Sequence, residues 1–167
     1  TTSDIDNNST DACGIKSLSL DEMNFDCNDV GNPTVTLTVT DNNDNFETCT
    51  AIITVEDNVK PLLNNCPTNI SKAMDAGVCG AIATWTAPTA TDNCDPNPTV
   101  AQTMGNLSGS LFSEGTHTIN YKATDNSSNE SLICSFTITV DGDMEKPVLA
   151  NCPTNISKAM DAGVCGA

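Results

Sequence analysis

One seventeen-residue string occurs twice in this chain. The letters NCPTNISKAMDAGVCGA fill residues 65–81 and return unchanged at residues 151–167, a spacing of 86. Self-similarity at a fixed period marks an array of structural units, each of which buries its apolar face only with its full set of strands or a neighbour's. The frame of the array therefore decides the fold. Just upstream of the two copies, Lys60-Pro61-Leu62-Leu63 is echoed by Lys146-Pro147-Val148-Leu149, and an acidic linker precedes each, at residues 56–59 and 141–145. Those linkers are the expected joints.

A second correspondence lies inside the units. TVTLTVTDNNDNFETCTAIITV from Thr34 parallels HTINYKATDNSSNESLICSFTITV from His117, both with β-branched residues at period two around an Asp-Asn turn. Each reads as a long hairpin. Residues 60–145 then form one complete unit, residues 1–59 a unit lacking its first strands, and residues 146–167 the first strands of a further unit. Running the tail into the head sets AGVCGA before TTSDIDNNSTDACGIKS, parallel to AGVCGAIATWTAPTATDNCDPNP, and makes a unit of 81 residues beside its 86-residue sibling. The chain reads as cut out of frame, with 146–167 completing the 1–59 unit of the next copy.

Charge removes several function classes. The 167 residues carry 22 acidic side chains against 6 basic ones, all Lys, for a net charge of −16. With no Arg to fork onto phosphate, and polyanions repelled, no nucleic-acid partner is expected. No apolar run approaches the ~20 residues of a membrane-spanning helix. No basic-then-apolar leader opens the sequence either, so it reads as a mature or internal segment. Nine cysteines in a chain of this length belong to an oxidising compartment, extracellular or at the cell surface. Zinc is set aside because the closest cysteines stand 13 residues apart, with no Cys-x-x-Cys pair and a single His.

The succession CPTNI, DAGVCGA, PTATDNC, GTHTINYKATDNSSN and CSFTITV between Cys66 and Val140 resembles the hyalin repeat, or HYR domain, an immunoglobulin-like β-sandwich of secreted and surface proteins. The stretch from Ser9 to Asn58 is similar to the related repeats of very large bacterial surface proteins. The resemblance implies an all-β chain of tandem, disulfide-stapled immunoglobulin-like sandwiches with adhesive, spacing or matrix-forming roles. It brings no catalytic residue with it.

In such a seven-strand sandwich the first and last strands can run side by side, so Cys66 and Cys134 are expected to pair. The same register would pair Cys152 with Cys49 of a following unit, a staple between neighbours. Cys79 and Cys94 are the next pair, provided that Pro88 ends a strand which would otherwise hold them about 50 Å apart. Cys13 has two candidate partners, the local Cys27 and the copy of Cys165 that would precede Thr1. An odd count leaves one thiol over. Each bridge would be worth roughly 2–4 kcal/mol, in a chain with only 4% aromatic residues to build a core.

Calcium is the expected cofactor. In a sandwich of this kind the loop between the second and third strands, and the turn between the last two, share the end at which the preceding linker enters. That gathers Asp57 and Asn58 of the linker with Asp92, Asn93 and Asp125 in the complete unit. In the joined unit it gathers Asp141, Asp143 and Glu145 with Asp11 and Asp41 of the next copy. A hard cation taking about six to eight oxygens would neutralise each cluster and stiffen each joint. The competing reading is that Asp and Asn only serve the turns, where their side chains bond their own backbone. The DNNDN run at Asp41 matches the start of an EF-hand loop superficially, but strands flank it and no Glu stands at the twelfth position.

Asn-x-Ser/Thr sequons at Asn7, Asn8, Asn69, Asn106, Asn126, Asn129 and Asn155 are glycosylation candidates. His117 stands at the start of a period-two strand with no nucleophile motif beside it, and no enzyme activity is expected. Trp85 and Tyr121 read as packing residues, since a carbohydrate platform would want several exposed rings. The function that follows is a structural extracellular repeat protein, a head-to-tail fibre or stalk stabilised by disulfides and calcium. Its main partner is itself, as a head-to-tail homopolymer or as tandem repeats in one chain, with glycans as a further partner, and a heterologous head-to-tail contact gives an open filament. The alternative is an adhesin or carbohydrate-binding module of a large cell-surface protein.

Overall fold

The computed structural model describes residues 1–159 and 162–163. A single helical turn, α1 (Thr2–Ile5), precedes three antiparallel strands, β1 (Ile15–Leu20), β2 (Thr34–Asp41) and β3 (Phe46–Ile52), joined in the order β1-β2-β3. β2 and β3 pair from Thr34 opposite Ile52 to Thr40 opposite Phe46. The turn between them is set by Asp41, whose Oδ1 accepts the N–H groups of Asn43 and Asn45 at 2.7 and 2.9 Å. Alternation along β2 sends Val35 and Leu37 to one face, where both are buried. Threonines take the other.

Residues 62–140 build a second set. It comprises β4 (Leu62–Asn64), β5 (Ile70–Lys72), β6 (Ala81–Ile82), β7 (Thr89–Thr91), β8 (Thr99–Met104), β9 (Leu111–Phe112), β10 (Gly115–Thr124) and β11 (Cys134–Val140). Four of these form a sheet in the order β5-β11-β10-β8, in which β5 runs parallel to β11 while β11 and β8 run antiparallel to β10. β4 pairs with β7, and β6 with β9. Among the described residues the chain is all-β apart from α1.

The core of this set follows from period two. Ile119, Tyr121 and Ala123 on β10 and Phe136, Ile138 and Val140 on β11 face inward and are buried, closed over by Ala81, Ala83 and Phe112. Trp85 lies between β6 and β7 and packs edge-on against Phe136, with ring centroids 5.4 Å apart. Its indole N–H donates to the Tyr121 hydroxyl oxygen at 2.9 Å, and that hydroxyl donates to Gln102 Oε1 at 3.0 Å. The polar ends of both rings are thereby satisfied.

The two hairpins, β2–β3 and β10–β11, are counterparts that differ by one residue. Asp125 and Cys134 stand nine positions apart where Asp41 and Cys49 stand eight. The extra residue is absorbed at 131–133, where Ser131 N–H bonds Ala123 O and its hydroxyl accepts from Ala123 N–H before pairing resumes at Cys134.

Candidate metal centre

Three carboxylates from three separate segments meet where the linker enters the second set of strands. One ligand oxygen from each of Asp57, Asp92 and Asp125 lies within 4.8 Å of the other two. Asp57 belongs to the linker after β3, is 9% exposed, and accepts the Val59 N–H at 3.1 Å. Asp92 follows β7, and its Oδ1 accepts the N–H groups of Cys94 and Asp95 at 2.9 and 3.0 Å. Asp125 directly follows β10, is 6% exposed, and accepts the Asn129 N–H at 2.7 Å.

Each side chain is thus held by its own turn. Asp92 Oδ2 is shut off from solvent and has no hydrogen-bond partner. Its carboxyl is held below the usual carboxylate range, first by the Asp95 N–H and then by the Cys94 N–H. The group stays ionised beside two other acidic groups. Carboxylates this close raise one another's energy in a partly buried setting, and a hard cation with oxygen ligands is a group that these three residues could hold.

Asn129 is a member of this cluster that sequence reasoning missed. Its Nδ2 donates both to Asp125 Oδ2 at 2.9 Å and to the Asp57 carbonyl at 2.8 Å, tying the linker to the turn. The signal was present, because Asn45 makes the same bond to Asp41 Oδ2 at 2.8 Å four residues on. Asn58 turns away to Glu56, with Nδ2 donating to Oε2 at 3.2 Å, and the Asn93 amide lies 3.0 Å from Cys94 Sγ.

The second expected set is not gathered within one molecule. Asp11 and Asp41 line one shallow groove in the first sheet. The Asp41 carboxyl is held below its usual range chiefly by the Asn45 amide. Asp141, Asp143 and Glu145 lie past the Val140 end of β11, beside the Asp75 turn. That is the far end of the β10–β11 hairpin from Asp125.

Cys66 and Cys134 are bonded, with Cα atoms 5.7 Å apart. The pairing of Cys79 with Cys94 is corrected: Cys94 is bonded to Cys27, Cα atoms 4.9 Å apart, and Cys79 is exposed and unbonded. The reason is the path of the chain. Residues 81–91 pass from pairing with β9 to pairing with β4, leaving Cys79 beside Asp141 and Cys94 beside the Asp92 cluster at the other end. The same bond removes Cys27 as partner of Cys13. Cys13, Cys49 and Cys152 are exposed and unbonded within the chain, and Cys165 lies outside the described residues.

The Cys27–Cys94 bond fastens the first sheet to the second set of strands at the same joint as the carboxylates. Of the sequon asparagines, Asn7, Asn8, Asn69, Asn106, Asn126 and Asn155 are exposed, whereas Asn129 is half-buried with its amide engaged. His117 Nε2 sits 2.9 Å from the Ser113 carbonyl and its ring lies against Phe112, with no nucleophile among these contacts. No helix among the described residues is long and apolar enough to cross a membrane.

A family model for the HYR domain matches residues 56–140. A hyalin of Strongylocentrotus purpuratus is 34% identical over 139 residues, which cover 80% of this chain and 11% of that protein. A hyalin of Lytechinus variegatus is 29% identical over 135 residues, covering 80% of this chain and 25% of the relative. The chain thus spans a tenth to a quarter of the curated relatives it matches. Among solved structures, extracellular cadherin domains 1–4 of protocadherin gamma B7 align with a TM-score of 0.36 at 14% identity, over 76% of this chain and 42% of that one.

Proposed function

The chain belongs to the HYR domain family, extracellular or cell-surface proteins of structural and adhesive character, and from that premise we propose that it is a rod-forming repeat. Its units are fastened to one another by disulfide and calcium, and copies assemble head to tail into a fibre. The observation that carries the reading is the joint itself. The linker carboxylate of Asp57 lies within 4.8 Å of those of Asp92 and Asp125, and the Cys27–Cys94 bond crosses the same boundary. A cation there would draw the linker, the β7–β8 loop and the β10–β11 turn together, fixing the angle between the first sheet and the second set of strands.

Asp57, Asp92 and Asp125 are the protein ligands in this reading, with Asn129 orienting two of them. Calcium suits the site because every available donor is an oxygen, at least two of the carboxylates are largely removed from solvent, and three acidic charges favour a divalent ion. Electron microscopy of the purified chain in calcium tests the whole reading. Regular filaments that fray or bend on chelation are the expected result. Dispersed particles at all concentrations, with the same shape in calcium and in chelator, would overturn it.

A further inference from the structure

We infer that the Cys27–Cys94 bond is a positioning element of the carboxylate site: it holds Asp92 in place for a divalent cation, so that reducing the bond weakens cation binding and a bound cation protects the bond. This role rests on the calcium reading above and adds to it a redox control of the same site.

Asp92 stands in an irregular stretch of chain. β7 ends at Thr91 and β8 begins at Thr99, so no strand pairing holds the residues between them. Asp92 Oδ1 accepts the N–H groups of Cys94 and Asp95 at 2.9 and 3.0 Å, and Asp95 Oδ1 accepts that of Asn97 at 2.9 Å. All three bonds lie inside the loop and set its shape. Its place against the first sheet is set at Cys94, whose Cα lies 4.9 Å from that of Cys27. The Asn93 carbonyl oxygen also lies 3.4 Å from Cys27 Sγ, so the loop wraps the bond.

Cys27 gives that bond a firm base. Asp26 N–H donates to Asp29 Oδ2 at 2.8 Å, Asn28 N–H to Asp26 Oδ1 at 2.7 Å, and Asp29 N–H to the Asp26 carbonyl at 3.0 Å, closing a turn around the cysteine. Asp92 is therefore two residues from an anchored position, and one of the N–H groups that orient it belongs to the anchored residue itself. The orientation leaves Oδ2, shut off from solvent and without a hydrogen-bond partner, as the unused oxygen.

The energetic argument is one of preorganisation. Three carboxylates with oxygens within 4.8 Å of one another repel. Asp57 and Asp92 both lie on the stretch of chain that the bond closes, from Cys27 to Cys94. While the bond is intact their spacing is kept before any ion arrives. Once it opens, moving the β7–β8 loop away relieves the repulsion, and an incoming ion must gather its ligands again at a cost to its affinity. Such coupling is reciprocal: the factor by which the bond strengthens cation binding is the factor by which the cation strengthens the bond against reduction. Reduction takes two electrons and two protons from a small-molecule dithiol, which leaves as a cyclic disulfide, and frees the thiols of Cys27 and Cys94. Cys27 is exposed, so a dithiol has access to it, whereas Cys134 of the other bond is 5% exposed.

Calcium chloride is the probe. In titration calorimetry the oxidised, unaltered chain should bind calcium on the order of tenfold more tightly than Cys27→Ser/Cys94→Ser. A bond that only staples the fold would lower the melting temperature of that variant and leave its calcium affinity alone. A second measurement needs no cysteine variant: the unaltered chain is equilibrated with dithiothreitol mixtures with and without calcium, its thiols are trapped, and peptide mapping reads the fraction of Cys27–Cys94 that remains. Calcium should shift the midpoint for this bond by the same factor, and Asp125→Asn should abolish the shift. In a chain that binds calcium, equal affinities, a midpoint indifferent to calcium, or a shift that survives Asp125→Asn would overturn the positioning role and leave the calcium reading standing. An unaltered chain that binds no calcium would overturn both.

Discussion

Cys27 and Cys94 are joined across a sequence separation of 67 residues, and the bond ties a loop of the first sheet to the loop that carries Asp92. The bond and the carboxylate cluster therefore share one boundary. The bond closes a long loop of chain, and its removal should cost roughly 2–4 kcal/mol.

Replacing both Cys27 and Cys94 with Ser should split thermal unfolding into two transitions, because the first sheet has few buried side chains of its own, Val35 and Leu37 foremost. Calorimetry reads this directly. One transition at an unchanged temperature would show that the two sets of strands are coupled by other means.

Calcium should raise the melting temperature of the unaltered chain, and chelator should remove the gain. At a hundredfold excess over the dissociation constant the stabilisation is about 2.7 kcal/mol. Asp125→Asn should abolish the response while leaving the melt in chelator unchanged or higher, since it removes one of three mutually repelling charges. A variant that responds to calcium like the parent chain would remove Asp125 from the site.

Tyr121→Phe should cost about 1–3 kcal/mol, because it leaves the Trp85 indole N–H inside the sandwich without its acceptor. Trp85 is the only tryptophan, so its fluorescence reports on this site alone. The expected outcome is a lower midpoint in urea with a similar slope. No change in midpoint would mean that water replaces the hydroxyl.

Acid should destabilise the fold, and the sign follows from the direction of the shifts. Asp92, Asp41, Asp21 and Glu130 are all held below their ordinary values in the folded chain, the last chiefly by hydrogen bonding to Lys122. Each binds its proton more weakly folded than unfolded. Their contribution is therefore complete above the unfolded values, near ~4, and is lost as the pH falls through the folded ones. Melting temperature in calcium should be flat from pH 7 to about 5 and fall below about 4. A rise in that range would contradict the assignment.

Much of this is legible in the sequence, for reasons that differ by residue. The hairpins are legible because alternation and an Asp-Asn turn are local signals, and comparing one unit with the other doubles them. The approach of Asp57, Asp92 and Asp125 is legible once the loops of a sandwich are known to share an end. The Cys27–Cys94 bond is not. Cys27 has no counterpart in the second unit, so the repeat offers no second copy to compare, and the partner lies in a different unit. Asn129 was overlooked because its Asn-x-Ser context invites a glycan, while its spacing of four from Asp125 already fixed it in the turn. The one-residue difference between the hairpins is equally hidden, since a bulge at 131–133 leaves no mark in composition.

The parallel run of β5 beside β11, locked by Cys66–Cys134, determines how such a module answers tension. The chain enters at the Asp57 end and leaves at the Val140 end, so a pull would try to slide the two strands lengthwise against each other. The covalent cross-link takes that force directly from one strand to the other. The stretch between the bonded cysteines, a sequence separation of 68, is thereby bypassed, and the load runs on along β11 alone. Stretched, the module can surrender only the residues outside the bond, the entering linker and β11, which makes it a tether of nearly fixed length.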